Sequence, residues 1–132
     1  MTDFNVCVVN KLKWPKQDVK VSKQNNGGWD SVRTVSPDGN QNCFTISSNN
    51  NSITIKLVPG EGIMNHQDCV IAVCSLDHNC SDPKPTTDRK GWIIEITYSR
   101  QGISPDDDPG TTTVEISDNQ PGTAQGEETN KE

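Results

Sequence analysis

Short runs of β-branched residues recur about every ten positions along this chain, and clusters of Asn, Gly and Pro separate them. This spacing is typical of antiparallel β-sandwiches, and the periodicity of an amphipathic helix is nearly absent. The clearest run is residues 92–98, in which every second residue is aromatic or aliphatic. That face carries Trp92, Ile94, Ile96 and Tyr98. The pattern predicts an all-β fold, a two-sheet antiparallel β-sandwich of about eight short strands.

Other segments carry the same signal at residues 5–10, 19–22, 29–35, 43–46, 53–57, 69–74 and 111–117. Two of them, residues 5–10 and 69–74, are compact apolar runs, which predicts interior strands. The Asn tract at residues 49–51 predicts a turn that joins its two neighbouring strands into a hairpin. Residues 77–89 are predicted to form a polar loop.

The length of 132 residues and the hydrophobic content of 30% predict a single domain with a thin core of two layers. Residues 118–132 contain no large apolar side chain, so burial cannot offset the entropy of ordering them. The sequence therefore predicts a β-sandwich domain at residues 1–117 and a disordered acidic tail at residues 118–132.

A formal net charge of -6 opposes attraction to nucleic acid and to anionic lipid surfaces. No run approaches the roughly 18 apolar residues of a membrane-spanning helix, and the first residues lack the features of a secretion signal. We therefore expect a cytoplasmic protein, or one secreted by an unconventional route. Any peripheral membrane association must depend on aromatic contacts and headgroup recognition.

The chain contains five cysteines, an odd number that cannot be fully paired within one chain. They are Cys7, Cys43, Cys69, Cys74 and Cys80. Since no secretion signal is found, we interpret most of them as small buried apolar residues. A disulfide between two of the last three is the alternative.

A cluster of potential zinc ligands lies between residues 66 and 80. Its members are His66, Cys69, Cys74, His78 and Cys80. The cluster lacks the Cys-x-x-Cys and His-x3-His spacings of structural zinc sites, so we favour buried thiols beside a surface loop. A zinc-stabilised domain is the third hypothesis, and no cofactor is predicted.

Catalytic motifs are missing: the chain has no Gly-x-Ser-x-Gly elbow, no His-Glu-x-x-His motif and no phosphate-binding glycine loop. We therefore predict a binding protein and not an enzyme.

Aromatic side chains are the candidate ligand contacts. Trp14 and Trp29 lie next to turn signals, where an indole suits a lipid interface or a sugar face. Trp92 and Tyr98 lie on one face of the same strand and are either core residues or ligand contacts.

Two segments near the end of the chain carry a resemblance: residues 92–101, WIIEITYSRQ, and residues 110–115, GTTTVE. They are similar to the closing pair of strands in the aegerolysin family of small lipid-binding β-sandwich proteins. Weaker similarities are Gly27-Gly28-Trp29 and the turn at residues 36–39 before Cys43. The chain departs from the family at residues 73–78, which replace its Trp-Asp-Cys-Pro-Trp-Gly segment.

The resemblance implies a β-sandwich that binds a membrane lipid or headgroup, with a larger pore-forming protein as partner in cytolysis, and Trp29 and Trp92 are the residues that match the family. The position of Trp29 and Trp14 beside turns predicts that these two indoles insert at the interface. The alternative is a soluble lectin or protein-interaction module, in which the same tryptophans stack on a glycan or on a protein partner.

Overall fold

The computed structural model describes residues 2–13, 16–60, 69–75, 78–98 and 110–118, with the side chains of residues 69, 70, 72, 74 and 75 excepted. These residues form strands and turns, which confirms the predicted all-β class. The strands are β1 (Thr2–Lys11), β2 (Val19–Asn25), β3 (Gly28–Val35), β4 (Gln41–Ser48), β5 (Ser52–Pro59), β6 (Cys69–Ser75), β7 (His78–Cys80), β8 (Lys84–Pro85), β9 (Trp92–Tyr98) and β10 (Thr111–Asp118).

The strands form two sheets. The four-stranded sheet has the order β4, β1, β10, β6, and the six-stranded sheet has the order β3, β2, β5, β9, β7, with β8 also paired to β9. One pairing differs from the predicted antiparallel arrangement, because β1 and β10 run parallel, with Val8 opposite Val114. The first and last strands are far apart in sequence, so no tight turn constrains their relative direction.

One aliphatic core lies between the two sheets, as the sandwich prediction requires. Ile55 and Ile96 from the six-stranded sheet and Val8 and Ile116 from the four-stranded sheet are fully buried within it. In β1 the outward-facing Cys7 and Val9 are also buried. The prediction that this strand is interior is therefore confirmed.

The predicted hairpin between β4 and β5 is wrong. Strand β4 pairs with β1 in the four-stranded sheet, whereas β5 pairs with β2 and β9 in the other sheet. Phe44 and Ile53 both belong to the buried core, so the two strands contribute to it from opposite sheets. A turn signal predicts where the chain reverses direction. It does not predict whether the next strand forms hydrogen bonds with the preceding strand or joins the opposite sheet.

Two more expectations need correction in the second half of the chain. The predicted polar loop at residues 77–89 contains the short strands β7 and β8, which pair along β9. Strands of two or three residues are too short for periodicity to reveal them.

The segment at residues 69–74 is the strand β6. Among the described strands it lies at the edge of the four-stranded sheet and not in its interior. The predicted tail lies outside the described residues beyond Asp118, where β10 ends.

A disulfide joins Cys7 of β1 to Cys43 of β4, and the two residues are direct register partners. Our interpretation of the cysteines as unpaired apolar residues is therefore wrong for this pair. The error came from inferring the redox state from the missing secretion signal, because the sequence did not show that β1 and β4 are neighbours.

We predict that removing the disulfide with Cys7→Ala and Cys43→Ala lowers the free energy of unfolding by about 3–4 kcal/mol. The chain-entropy cost of a closed loop of this length has that magnitude, and the two cysteines are 36 residues apart. Urea denaturation of the wild type and the double variant measures the loss. A non-reducing digest in which the Cys7 and Cys43 peptides are not linked would contradict the pairing.

Asn10 is a fully buried polar residue at the end of the sandwich where β1 finishes. Its Nδ2 donates hydrogen bonds to the carbonyl oxygens of Gln17 at 2.8 Å and Val35 at 3.0 Å. Its Oδ1 accepts a bond from the Leu12 amide at 3.0 Å. One side chain therefore fixes both the segment that follows β1 and the end of β3.

We expect Asn10→Ala to lower the free energy of unfolding by about 3 kcal/mol, because buried backbone groups would lose their partners. Chemical denaturation measures the change. Asn40→Ala is the matched control, since that side chain is exposed and its loss should cost little. A loss for Asn10→Ala no larger than that of the control would show that Asn10 does not anchor this end.

Candidate functional site

Of the four aromatic candidates, the structure describes Trp29, Trp92 and Tyr98, and these three do not form one patch. Trp29 lies near the start of β3, beside the turn that follows Asn25. Trp14 lies outside the described residues.

Trp92 and Tyr98 are both half-buried and pack against the hydrophobic core. They stand at the two ends of β9, on the same face as the buried Ile94 and Ile96. Their contacts are those expected of core residues, which was one of the two interpretations of this strand face.

Trp29 is half-exposed on the outer face of the six-stranded sheet. Asn26 and Gly27 both have positive φ, 50° and 83°, as in the two-residue turns that Asn-Gly sequences favour in hairpins. This turn fixes the position at which Trp29 enters β3. The Lys56 ammonium lies 4.6 Å from the centroid of the Trp29 ring, a cation–π contact.

A row of polar side chains continues from Trp29 across the outer face. Trp29 is the register partner of Gln24 on β2, and Thr54 on β5 is the partner of Glu95 on β9. The pairing of Lys23 with Ile55 places Gln24 beside Thr54. We call these four residues, Trp29, Gln24, Thr54 and Glu95, the Trp29 row.

A polar cleft of about 280 Å³ opens beside the Trp29 row. It lies between the outer face of the six-stranded sheet and the turn that connects β4 to β5. Its lining residues are Lys23, Gln24, Ser48, Asn50, Ser52, Ile53, Thr54 and Glu95. Three members of the Trp29 row therefore form one wall of the cleft.

Hydrogen bonds hold the opposite wall, which is the turn from β4 to β5. The Ser48 hydroxyl donates to the Ser52 carbonyl at 2.9 Å and accepts from the Asn50 amide at 3.0 Å. The Lys23 ammonium donates to the Ser47 carbonyl at 2.6 Å and so ties β2 to β4 across the two sheets. Both walls of the cleft are thus set by the fold, as in a preformed binding site.

The Trp29 row combines hydrogen-bonding groups with an aromatic ring. Gln24 offers an amide, Thr54 a hydroxyl, Glu95 a carboxylate and Trp29 an apolar ring with an N–H donor. Sequence reasoning identified Trp29 and missed the other three. Each is an ordinary outward-facing residue of a strand, and only the register brings them into one row.

The described zinc candidates, His78 and Cys80, contact the core and not a metal site. The His78 ring is buried, 5.1 Å from the Phe4 ring and 6.2 Å from the Tyr98 ring, and its Nδ1 contacts the Thr112 hydroxyl. Cys80 packs against the core. His66 and the side chains of Cys69 and Cys74 lie outside the described part of the chain. Among the described residues, no group of three His, Cys, Asp or Glu side chains is placed to hold a metal ion.

Asp88 lies in the turn between β8 and β9, and its pKa is below the ordinary value of 3.8. The main cause is a hydrogen bond from the Thr86 hydroxyl at 2.5 Å, followed by one from the Lys90 amide at 3.1 Å. The charges of Lys90 and Lys56 contribute in the same direction. The positive charge of Lys56 thus acts on Asp88 as well as on Trp29.

We predict that the melting temperatures of the wild type and Asp88→Asn converge in acid. A lowered pKa in the folded state means that the carboxylate stabilises the fold above pH 3.8. This contribution is lost as the pH falls through the lower folded-state pKa. Thermal unfolding across this range measures the gap, with the exposed Asp82→Asn as the control. A gap that does not change with pH would contradict the assignment.

No family model matches the chain, and neither the curated proteins nor the solved structures contain a match. Within the described residues there is also no helix of the length and apolarity needed to cross a bilayer.

Proposed function

We propose that this protein is a non-enzymatic binding protein that recognises the headgroup of a membrane lipid at the Trp29 row. One observation carries the proposal. The half-exposed indole of Trp29 lies next to its register partner Gln24, which lines a preformed polar cleft. An amphipathic ring in this setting can enter the interface while the cleft holds the polar headgroup.

The net charge of the chain favours recognition of a specific headgroup, because it opposes electrostatic attraction to an anionic bilayer. A net charge of -6 opposes binding to anionic membranes. The cleft itself carries Lys23 and Glu95, and Lys56 lies beside it on the Trp29 ring. Affinity must therefore come from the indole and from hydrogen bonds in the cleft.

The resemblance to aegerolysins points in the same direction, because that family consists of lipid-binding β-sandwiches. It is strongest at β9 and β10, and β9 contributes Glu95 to the Trp29 row. By the same resemblance, a larger pore-forming protein is the proposed partner at the membrane. Trp14, which lies outside the described residues, carries no part of this proposal.

We expect Trp29→Ala to weaken binding to vesicles about tenfold, because the variant loses the apolar ring buried at the interface. Trp29→Phe keeps an aromatic ring and should retain most of the affinity. Co-sedimentation with vesicles of neutral and zwitterionic lipids measures both.

Thr34→Ala is the control, since Thr34 is exposed near the other end of the same strand. Failure of the wild type to bind any vesicle of the panel would refute the lipid proposal. Equal binding by the wild type and Trp29→Ala would refute the role of Trp29.

A further inference from the structure

We propose that the group recognised at the Trp29 row is a neutral sugar ring. This inference rests on the proposed function, since the sugar would be the headgroup of a glycolipid. It specifies the chemistry of the ligand: an apolar C–H face for the indole and hydroxyl groups for Gln24, Thr54 and Glu95.

The order of chemical groups along the Trp29 row matches a sugar ring, which presents an apolar C–H face and polar hydroxyl groups. The face of an indole packs against the C–H groups of a sugar. The Gln24 amide can donate and accept, the Thr54 hydroxyl can do both, and the Glu95 carboxylate accepts strong hydrogen bonds from hydroxyl groups. Gln24 and Glu95 are exposed and Thr54 is half-buried, so all three can be reached from solvent.

The local charges argue against a purely ionic headgroup. A phosphate would be repelled by the Glu95 carboxylate, and the Ser47 carbonyl already accepts one of the three N–H bonds of the Lys23 ammonium, at 2.6 Å. A cationic amine would approach Lys56, whose ammonium lies 4.6 Å from the Trp29 ring centroid. A neutral polyhydroxyl group avoids both repulsions and can still use every hydrogen-bonding group in the wall.

The dimensions of the site also favour a sugar over an acyl chain. The cleft volume of about 280 Å³ is near the lower limit of roughly 300–1,000 Å³ for small-molecule pockets. Most of its lining side chains are hydroxyls, amides and charged groups. Neighbouring strands are about 4.8 Å apart, so the row from β3 to β9 spans about 14 Å. That length exceeds one sugar ring, and we therefore expect tighter binding to a disaccharide than to a monosaccharide.

Vesicles of phosphatidylcholine, with and without glucosylceramide, galactosylceramide or lactosylceramide, test the inference on the full chain. We expect binding only where a glycolipid is present. The free sugars of the same headgroups should compete in solution, which separates a sugar held by a membrane from a free glycan.

Two variants test the polar wall. Thr54→Val keeps the shape of the side chain and its fit to a strand but removes the hydroxyl, and Glu95→Gln keeps the shape but removes the carboxylate. Each should weaken binding to glycolipid vesicles about tenfold. Thr54→Ser restores the hydroxyl and should retain affinity. Thr34→Val is the matched control on the outer face of β3, and circular dichroism checks that every variant folds.

The outcomes separate this inference from the proposed function. Equal binding to vesicles with and without glycolipid, unchanged by Thr54→Val and Glu95→Gln, would overturn the sugar and leave the lipid proposal standing. Free sugars that quench the tryptophan fluorescence, together with no binding to any vesicle, would support the sugar site and overturn the membrane role. Binding to neither would overturn both.

Discussion

A single core of apolar side chains between the two sheets constrains where every other side chain of this molecule can lie. Only 30% of the chain is hydrophobic, which is enough to cover one inner face of each sheet. Ile55 and Ile94 form part of this core from one side, and Val8 and Val114 from the other. Since the core uses the inward positions, the polar groups that a solvent molecule or a ligand could reach lie on the outer faces and at the ends of the sandwich.

Long cationic side chains close the side of the sandwich where the two sheets present the edge strands β3 and β4. Arg33 of β3 donates to the Asn42 side chain at 3.2 Å and places its guanidinium 5.3 Å from the Phe44 ring centroid. Lys23 reaches β4 from the adjacent strand. Charged side chains at such edges also discourage pairing with another chain. Because Lys23 lines the cleft, the closure of the sandwich and the shape of the proposed site depend on the same contact.

The sequence predicted where most strands lie but not which strands pair with each other, and the difference has one physical reason. The pattern of apolar residues depends on which faces of a strand are buried, which is a local property. Alternation identified β9, and a compact apolar run identified the buried β1. Pairing depends on contacts between distant segments, which a single sequence does not display. The turn before β5 therefore looked like a hairpin although β4 and β5 lie in different sheets, and Cys7 and Cys43 did not look like partners.

The same distinction explains why only Trp29 could be found in advance. An indole beside an Asn-Gly turn is a local signal, whereas Gln24, Thr54 and Glu95 become neighbours only through the register of four strands. A slip of one residue in any of these pairings would turn the outward residues of that strand toward the core. The inward aliphatic residues oppose such a slip because it would expose them to water. The core that holds the sheets together therefore also keeps an aromatic ring, an amide, a hydroxyl and a carboxylate in line on the outer face.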